Sequence, residues 1–200
     1  MALDVSLKMN HPLGPEFPAI YGEYRTTIRK ESDRGAVLVS ATILDSSLEE
    51  VIKLRLLDTV GSADKLFSGF SAPLSSFAAK IEIAFRLGII AEETMDMLTV
   101  FRKLRNDCAH RVEYGSFDEQ RMKDRLNDVF LRQPQVFEAI KESITQAAAE
   151  TLDELDVEMT VDDFIVNHWS IRKTFDVFFA TTAAAIAGLV HTVERIPSRI

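Results

Sequence analysis

Apolar residues recur at spacings of three and four along most of this chain, and the stripes they draw are helical. Val37, Ala41, Leu44, Leu48 and Val51 make one such stripe, in a helix expected from about Asp33 to Asp58. A shorter helix is expected before it, from about Ala19 to Glu31. Thr59-Val60-Gly61-Ser62-Ala63-Asp64 interrupts the pattern. Leu74, Phe77, Ile81 and Ala84 then mark the inner face of another helix. Ser71-Ala72-Pro73 is expected to open it, with proline in the first turn where its missing N–H is harmless. Gly88 is placed to cap its end.

Ala91-Glu92-Glu93 begins a central helix with acids first, as the helix dipole prefers, and the helix should reach about Val112. After the turn at Tyr114-Gly115-Ser116, either Ser116 or Asp118 can cap a helix to about Leu131. Two more are expected: about Gln135–Leu152, with Phe137, Ile140, Ile144 and Ala147 inward, and about His168–Glu194, with Ile171, Phe175, Phe178, Ala185, Ile186 and Leu189 inward. Thr182 shares this last stripe, where its hydroxyl can bond back to a carbonyl one turn earlier. No segment alternates with period two between turn signals. The fold class is therefore all-α, a helical bundle of about six to seven helices. Its organisation reads as an extended N-terminal arm over 1–18, carrying Pro12, Pro15 and Pro18 around Gly14, a helical domain over 19–131, and a C-terminal helical extension over 132–200 packed on the same core.

Composition refines this picture. Hydrophobic residues make up 46% of the 200 and charged residues 27%, which suits a chain with a buried core. The single cysteine, Cys108, excludes an internal disulfide and a CxxC zinc pattern. The N-terminus lacks the basic start and apolar run of a signal peptide. The apolar stretch Val177–Val190 is shorter than the roughly 20 residues a spanning helix needs. It is expected to be a core or interface helix, and the chain is expected in the cytoplasm, with no membrane partner. The net charge of −8 is concentrated: Glu150, Asp153, Glu154, Asp156, Glu158, Asp162 and Asp163 lie together without a base. That stretch reads as a solvated face, or as a mimic of nucleic acid or a dock for a basic partner. An acidic protein repels nucleic acid non-specifically. A local basic face, with Arg102, Lys103, Arg105 and Arg111 against Asp107, can still grip a few phosphates.

That basic run belongs to the central helix. At about 100° per residue, Met97, Phe101, Leu104, Cys108 and Val112 fall within one stripe roughly 80° wide, facing the core. Arg102, Asn106 and His110 stack along the opposite side, with Arg105 at the edge and able to swing toward Asn106. An imidazole can take a proton from a hydroxyl at neutral pH, and a guanidinium fits phosphate in bidentate fashion. A histidine and an arginine are therefore a minimal set for cleaving RNA without metal: the ribose 2′-OH attacks, His110 deprotonates it, Arg105 stabilises the phosphorane, and Asn106 orients either. A second copy from a dimer partner would complete such a site. Arg102, Lys103 and Arg111 would supply further phosphate contacts. The plain structural alternative pairs Arg105 with an acid such as Glu93 or Asp118 and uses His110 to cap the loop near Tyr114.

The blocks Ser75-Ser76-Phe77-Ala78-Ala79-Lys80-Ile81, Arg86-Leu87-Gly88-Ile89-Ile90, Leu104-Arg105-Asn106-Asp107-Cys108-Ala109-His110 and Ser116-Phe117-Asp118 resemble the mannitol operon repressor family over roughly residues 33–131. Arg105-Asn106 and His110 are also similar to the Arg-x4–6-His motif of the HEPN superfamily. These are helical domains that often dimerise at the motif, some as metal-independent endoribonucleases and others as inactive regulatory modules. The resemblance implies that Arg105 and His110 match the motif's catalytic pair and Asn106 its polar neighbour. It also implies a homodimer or higher oligomer and a regulator that acts through a protein partner, with RNA as the alternative ligand. The residues from about Gln133 onward match none of these blocks. No basic recognition helix is present, so direct sequence-specific DNA binding is not expected.

Nothing in the sequence calls for a cofactor or metal. Glycine-rich phosphate loops, HExxH and GxSxG are missing, and His11, His168 and His191 are isolated. Cys108 faces inward as a small core residue. Trp169, Phe175, Phe178 and Phe179 are expected in the core or a dimer interface.

Overall fold

The computed structural model describes residues 16–60, 64–111, 113–155 and 170–198. Among these the chain forms seven α-helices packed as a bundle and no strand: α1 (Phe17–Arg29), α2 (Asp33–Arg55), α3 (Phe77–Arg86), α4 (Glu92–His110), α5 (Gln120–Phe130), α6 (Pro134–Leu155) and α7 (Ile171–Gly188). A 3-10 turn, Leu189–His191, ends α7. The all-α bundle expected from the periodicity is the observed fold. The arm's residues 1–15, the acidic positions Asp156, Glu158, Asp162 and Asp163, and His168, Trp169 and Val112 lie outside the described residues.

The apolar stripes of α2 and α4 turn inward. Val37, Ala41, Leu44, Leu48 and Val51 of α2 are buried, as are Met97, Phe101, Leu104 and Cys108 of α4. The central element is α7, which packs against α1, α2, α5 and α6. Its Phe175, Phe178 and Phe179 are buried, and the Phe179 ring lies 4.0 Å centroid to centroid from Phe101 of α4. Phe175 also meets Phe117, at 4.9 Å, and Phe178 meets Phe130, at 4.9 Å. Such tilted contacts add to the area these rings remove from water. Thr182 bonds its Oγ1 back to the Phe178 carbonyl at 2.9 Å, which satisfies a buried hydroxyl. By length and composition the Ile171–His191 helix could cross a membrane, but 56% of its apolar window is buried inside the bundle.

Several boundaries differ from the sequence expectation, each for a local reason. Helix α1 begins at Phe17, so Pro18 lies in its first turn rather than in the arm. Helix α2 ends at Arg55, not near Asp58. Leu56 is extended, and the Arg55 carbonyl accepts instead from the Ile196 amide of the C-terminal tail at 2.9 Å. Pro73 does not open α3. The preceding loop is held by the Leu74 amide on the Leu66 carbonyl, and the cap is Ser76, whose Oγ accepts from the Ala79 amide. Neither Ser116 nor Asp118 caps α5: Ser116 Oγ takes the Asp118 amide in a local turn, and Glu119 stands at the N-cap. Helix α4 stops at His110, and α7 starts at Ile171 because Ser170 caps it through the Lys173 amide.

Gly88 performs the expected role. Its φ is +68°, the Ile89 amide reaches the Ala84 carbonyl, and the Gly88 amide reaches that of Phe85, which together close α3 in a Schellman turn. Ile89, just beyond, is buried. This reversal sends the chain into α4.

Candidate functional site

Helix α4 lies on α2, α3 and α5, so its buried stripe is fixed on several sides, and its opposite face keeps partly or fully exposed side chains among the described residues. On that face Arg102, Arg105 and Asn106 are half-buried, while Lys103, His110 and Arg111 are exposed. Arg105 Nη1 donates to Asn106 Oδ1 at 3.1 Å. His110 is the last helical residue, and its imidazole makes no hydrogen bond or ion pair with a described residue.

Helical geometry relates these groups. Four residues separate Asn106 from His110, about 40° around the axis and one turn along it. Arg105 sits about 100° from Asn106, and its length closes that gap. Asn106 therefore stands between the guanidinium and the imidazole. With its oxygen committed to Arg105, its amide nitrogen remains to donate to a ligand. Arg105 pairs with neither Glu93 nor Asp118.

The outer cations behave differently from one another. Arg111 Nε lies 3.4 Å from Asp107 Oδ1, and Arg125 of α5 lies 3.3 Å from Asp107 Oδ2. Asp107 thus anchors the end of α4 to α5 and also pairs with Arg111, whose side chain stays exposed. Arg102 and Lys103 keep no ion pair among the described residues. Cys108, on the inner side of the same turn, is buried, and burial pushes its thiol up to about 11 despite the opposing charge of Arg34. A thiol so far above neutral pH is a poor nucleophile, as its inward position implied.

Behind the face lies a polar network that the sequence did not announce. Arg172 of α7 donates from Nε to Asp176 at 2.7 Å, from Nη1 to Asp33 at 2.9 Å and from Nη2 to the Ile28 carbonyl at 2.8 Å. Asp33 Oδ2 also accepts from the Phe117 amide at 2.8 Å, and Arg34 Nη2 donates to the Ala109 carbonyl at 3.1 Å. Asp33 lies 139 positions from Arg172, and Arg34 lies 75 from Ala109, so no local spacing could have revealed either contact.

Among the described residues no cluster of histidine, cysteine and carboxylates could hold a metal ion. Two shallow concavities lie elsewhere, one beside Glu49 and Lys53 and one between Arg55, Gly88 and the tail at Val193. The α4 face is an open ridge that a ligand or a second protein surface would meet from outside. No protein family, curated protein or solved structure compared with this chain matches it.

Proposed function

We propose that this protein is a regulatory interaction module of the mannitol operon repressor kind, working through protein contacts on the polar face of α4 rather than by reading DNA. The observation that carries the proposal is the ridge itself: Arg102, Arg105, Asn106 and His110 stand outward on a helix whose other side is buried. An open ridge suits a flat protein partner, above all a second copy of this chain that brings the same residues across a two-fold axis. The acidic overall balance, −8, also favours protein contact over non-specific binding to nucleic acid. The module is proposed to act in the cytoplasm.

Sedimentation of wild type beside Arg102→Glu/Asn106→Glu tests the assembly step. A dimer in the wild type that weakens in the variant is expected. A wild type that stays monomeric at high micromolar concentration, or a dimer indifferent to the substitutions, would exclude this face as the dimer contact. Transcript profiling with the same substitutions at the native locus tests regulation, and an unchanged profile counts against it.

The hydrogen bond between Arg105 and Asn106 beside an open His110 supports a second reading, a metal-independent endoribonuclease. In it His110 takes the 2′-hydroxyl proton, the 2′-oxygen attacks phosphorus, and Arg105 holds the charge on the phosphorane. The 5′-oxygen leaves with a proton from the partner copy's imidazole, giving a 2′,3′-cyclic phosphate. Mixed RNA incubated in EDTA distinguishes the two. Cleavage by wild type, lost in both Arg105→Ala and His110→Ala, would overturn the regulatory reading. RNA left whole would remove the nuclease.

A further inference from the structure

Ala109 precedes the exposed His110 at the end of α4, and its carbonyl is one of the four that a helix end leaves without an intrahelical donor. The donor comes from another helix. Arg34, in the first turn of α2, places Nη2 3.1 Å from that oxygen. A cation there also faces the negative end of the α4 dipole. Independently of that bond, the charge of Arg34 is felt by the buried thiol of Cys108, one residue earlier.

The residue before Arg34 holds the other side of the same segment. Asp33 accepts the Phe117 amide at 2.8 Å through Oδ2 and Arg172 at 2.9 Å through Oδ1. Arg172 in turn binds Asp176 beside it on α7 and the Ile28 carbonyl near the end of α1. Two consecutive side chains of α2 therefore grip the chain just before His110 and again at the entrance to α5. The network behind them runs to α1 and α7.

We infer that Arg34 is the positioning residue of the α4 face: its bond to the Ala109 carbonyl sets where the His110 imidazole stands relative to Arg105 and Asn106. The ion-pair network of Asp33 and Arg172 makes that placement depend on the contact between α1 and α7. What the placement serves rests on the proposed role of the α4 face; the clamp itself does not.

Cys108 is the only cysteine of the chain and sits beside the clamped carbonyl, so its labelling reports when this end of α4 opens. Arg55 is the natural control, because it makes the same kind of bond, Nη1 to the Glu194 carbonyl at 2.6 Å, at the opposite end of α2. An aromatic disulfide reagent should label Arg34→Met about tenfold faster than Arg55→Met under native conditions. Arg34→Lys, which keeps a cationic donor, should stay within about threefold of wild type. Loss of Arg34 also removes a charge that favours the thiolate, so the intrinsic chemistry runs the other way and acceleration reports opening. Equal acceleration in Arg34→Met and Arg55→Met, or none in Arg34→Met, overturns the inference; should Arg34→Met fail to fold, Arg34→Gln takes its place. The His110 ring resonances should shift in Arg34→Met and return in Arg34→Lys, a response that general destabilisation does not produce. Whichever activity the α4 face has should follow the same order. If His110→Ala leaves every such activity intact, the role proposed for the face fails while the labelling comparison still decides the clamp.

Discussion

Lys80 of α3 holds its ammonium 2.6 Å from the Glu49 carboxylate of α2, with the lysine side chain only 5% exposed. Asp45 lies on the same side at 3.1 Å, and Lys53 approaches Glu49 from water. Burial opposes the Lys80 charge, yet pairing with Glu49 and Asp45 outweighs it and holds the lysine above its ordinary 10.5. Burial likewise works against the Glu49 charge, and Lys53 and Lys80 together hold it below its ordinary value. Removing the lysine leaves two carboxylates one turn apart on α2 without their shared partner from α3, although both retain some solvent. Lys80→Ala should therefore cost about 2–3 kcal/mol in urea unfolding, less than for a fully dry pair.

The same pair sets two pH edges. Stability from Glu49 is complete above the ordinary carboxyl range and is lost as pH falls through its lowered value. Stability from Lys80 is complete below 10.5 and is lost as pH rises through its raised value. Thermal melts from acid to alkaline pH should show both declines in wild type. Glu49→Gln/Lys80→Met should flatten them; unchanged edges would show that other groups set them.

Asp176 responds in the opposite sense. Burial raises its carboxyl above the ordinary 3.8, and Arg172 offsets only part of that. The folded state then holds this proton more tightly than the unfolded chain, so its contribution falls as pH rises from 3.8 through the raised value. Asp176→Asn should consequently change stability at neutral pH by less than about 1 kcal/mol. Arg172→Met, which strands Asp33, Asp176 and the Ile28 carbonyl at once, should cost about 3 kcal/mol or more. Denaturant titrations that reverse this order would refute the account of the network.

Gly88 isolates backbone strain from packing, because a Cβ there would meet nothing within 4 Å while φ stays at +68°. Gly88→Ala should destabilise by about 1–2 kcal/mol, and Gly88→Asn by less, since asparagine tolerates this region better. Equal costs for the two would point to a steric cause.

The outward residues of α4 should be dispensable for folding. Arg105→Ala and His110→Ala are expected to leave the unfolding free energy within about 0.5 kcal/mol of wild type. A larger loss would mean that these side chains serve the bundle itself.

What could be foreseen from the chain follows the range of each force. The stripe of Met97, Phe101, Leu104 and Cys108 was legible because helical periodicity is written in neighbouring residues. So was the back-bond of Thr182. Pro73 and Ser116 misled because each has a local turn that competes with helix initiation, and the outcome is decided by contacts such as Leu74 with Leu66. Of the polar face, the order of Arg102, Arg105, Asn106 and His110 around α4 was legible, and the bridge from Asp107 to Arg125 of α5 was not. Nothing near Asp33 or Arg34 foretells a partner on α7 or at the end of α4, since ion pairs between distant elements leave no mark on local pattern.

The helix at the centre of the bundle is also synthesised after every helix that it packs against. Arg172 and the Ile28 carbonyl that it binds are 144 positions apart, and α7 packs against faces of both α1 and α2. At about 5–20 residues per second, those faces emerge from the ribosome on the order of ten seconds before their cover. Throughout that interval apolar side chains that the finished bundle buries, Ile28, Val37 and Leu44 among them, are without α7, which makes the nascent chain a natural client for a holdase and vulnerable to mispairing with a neighbouring nascent copy.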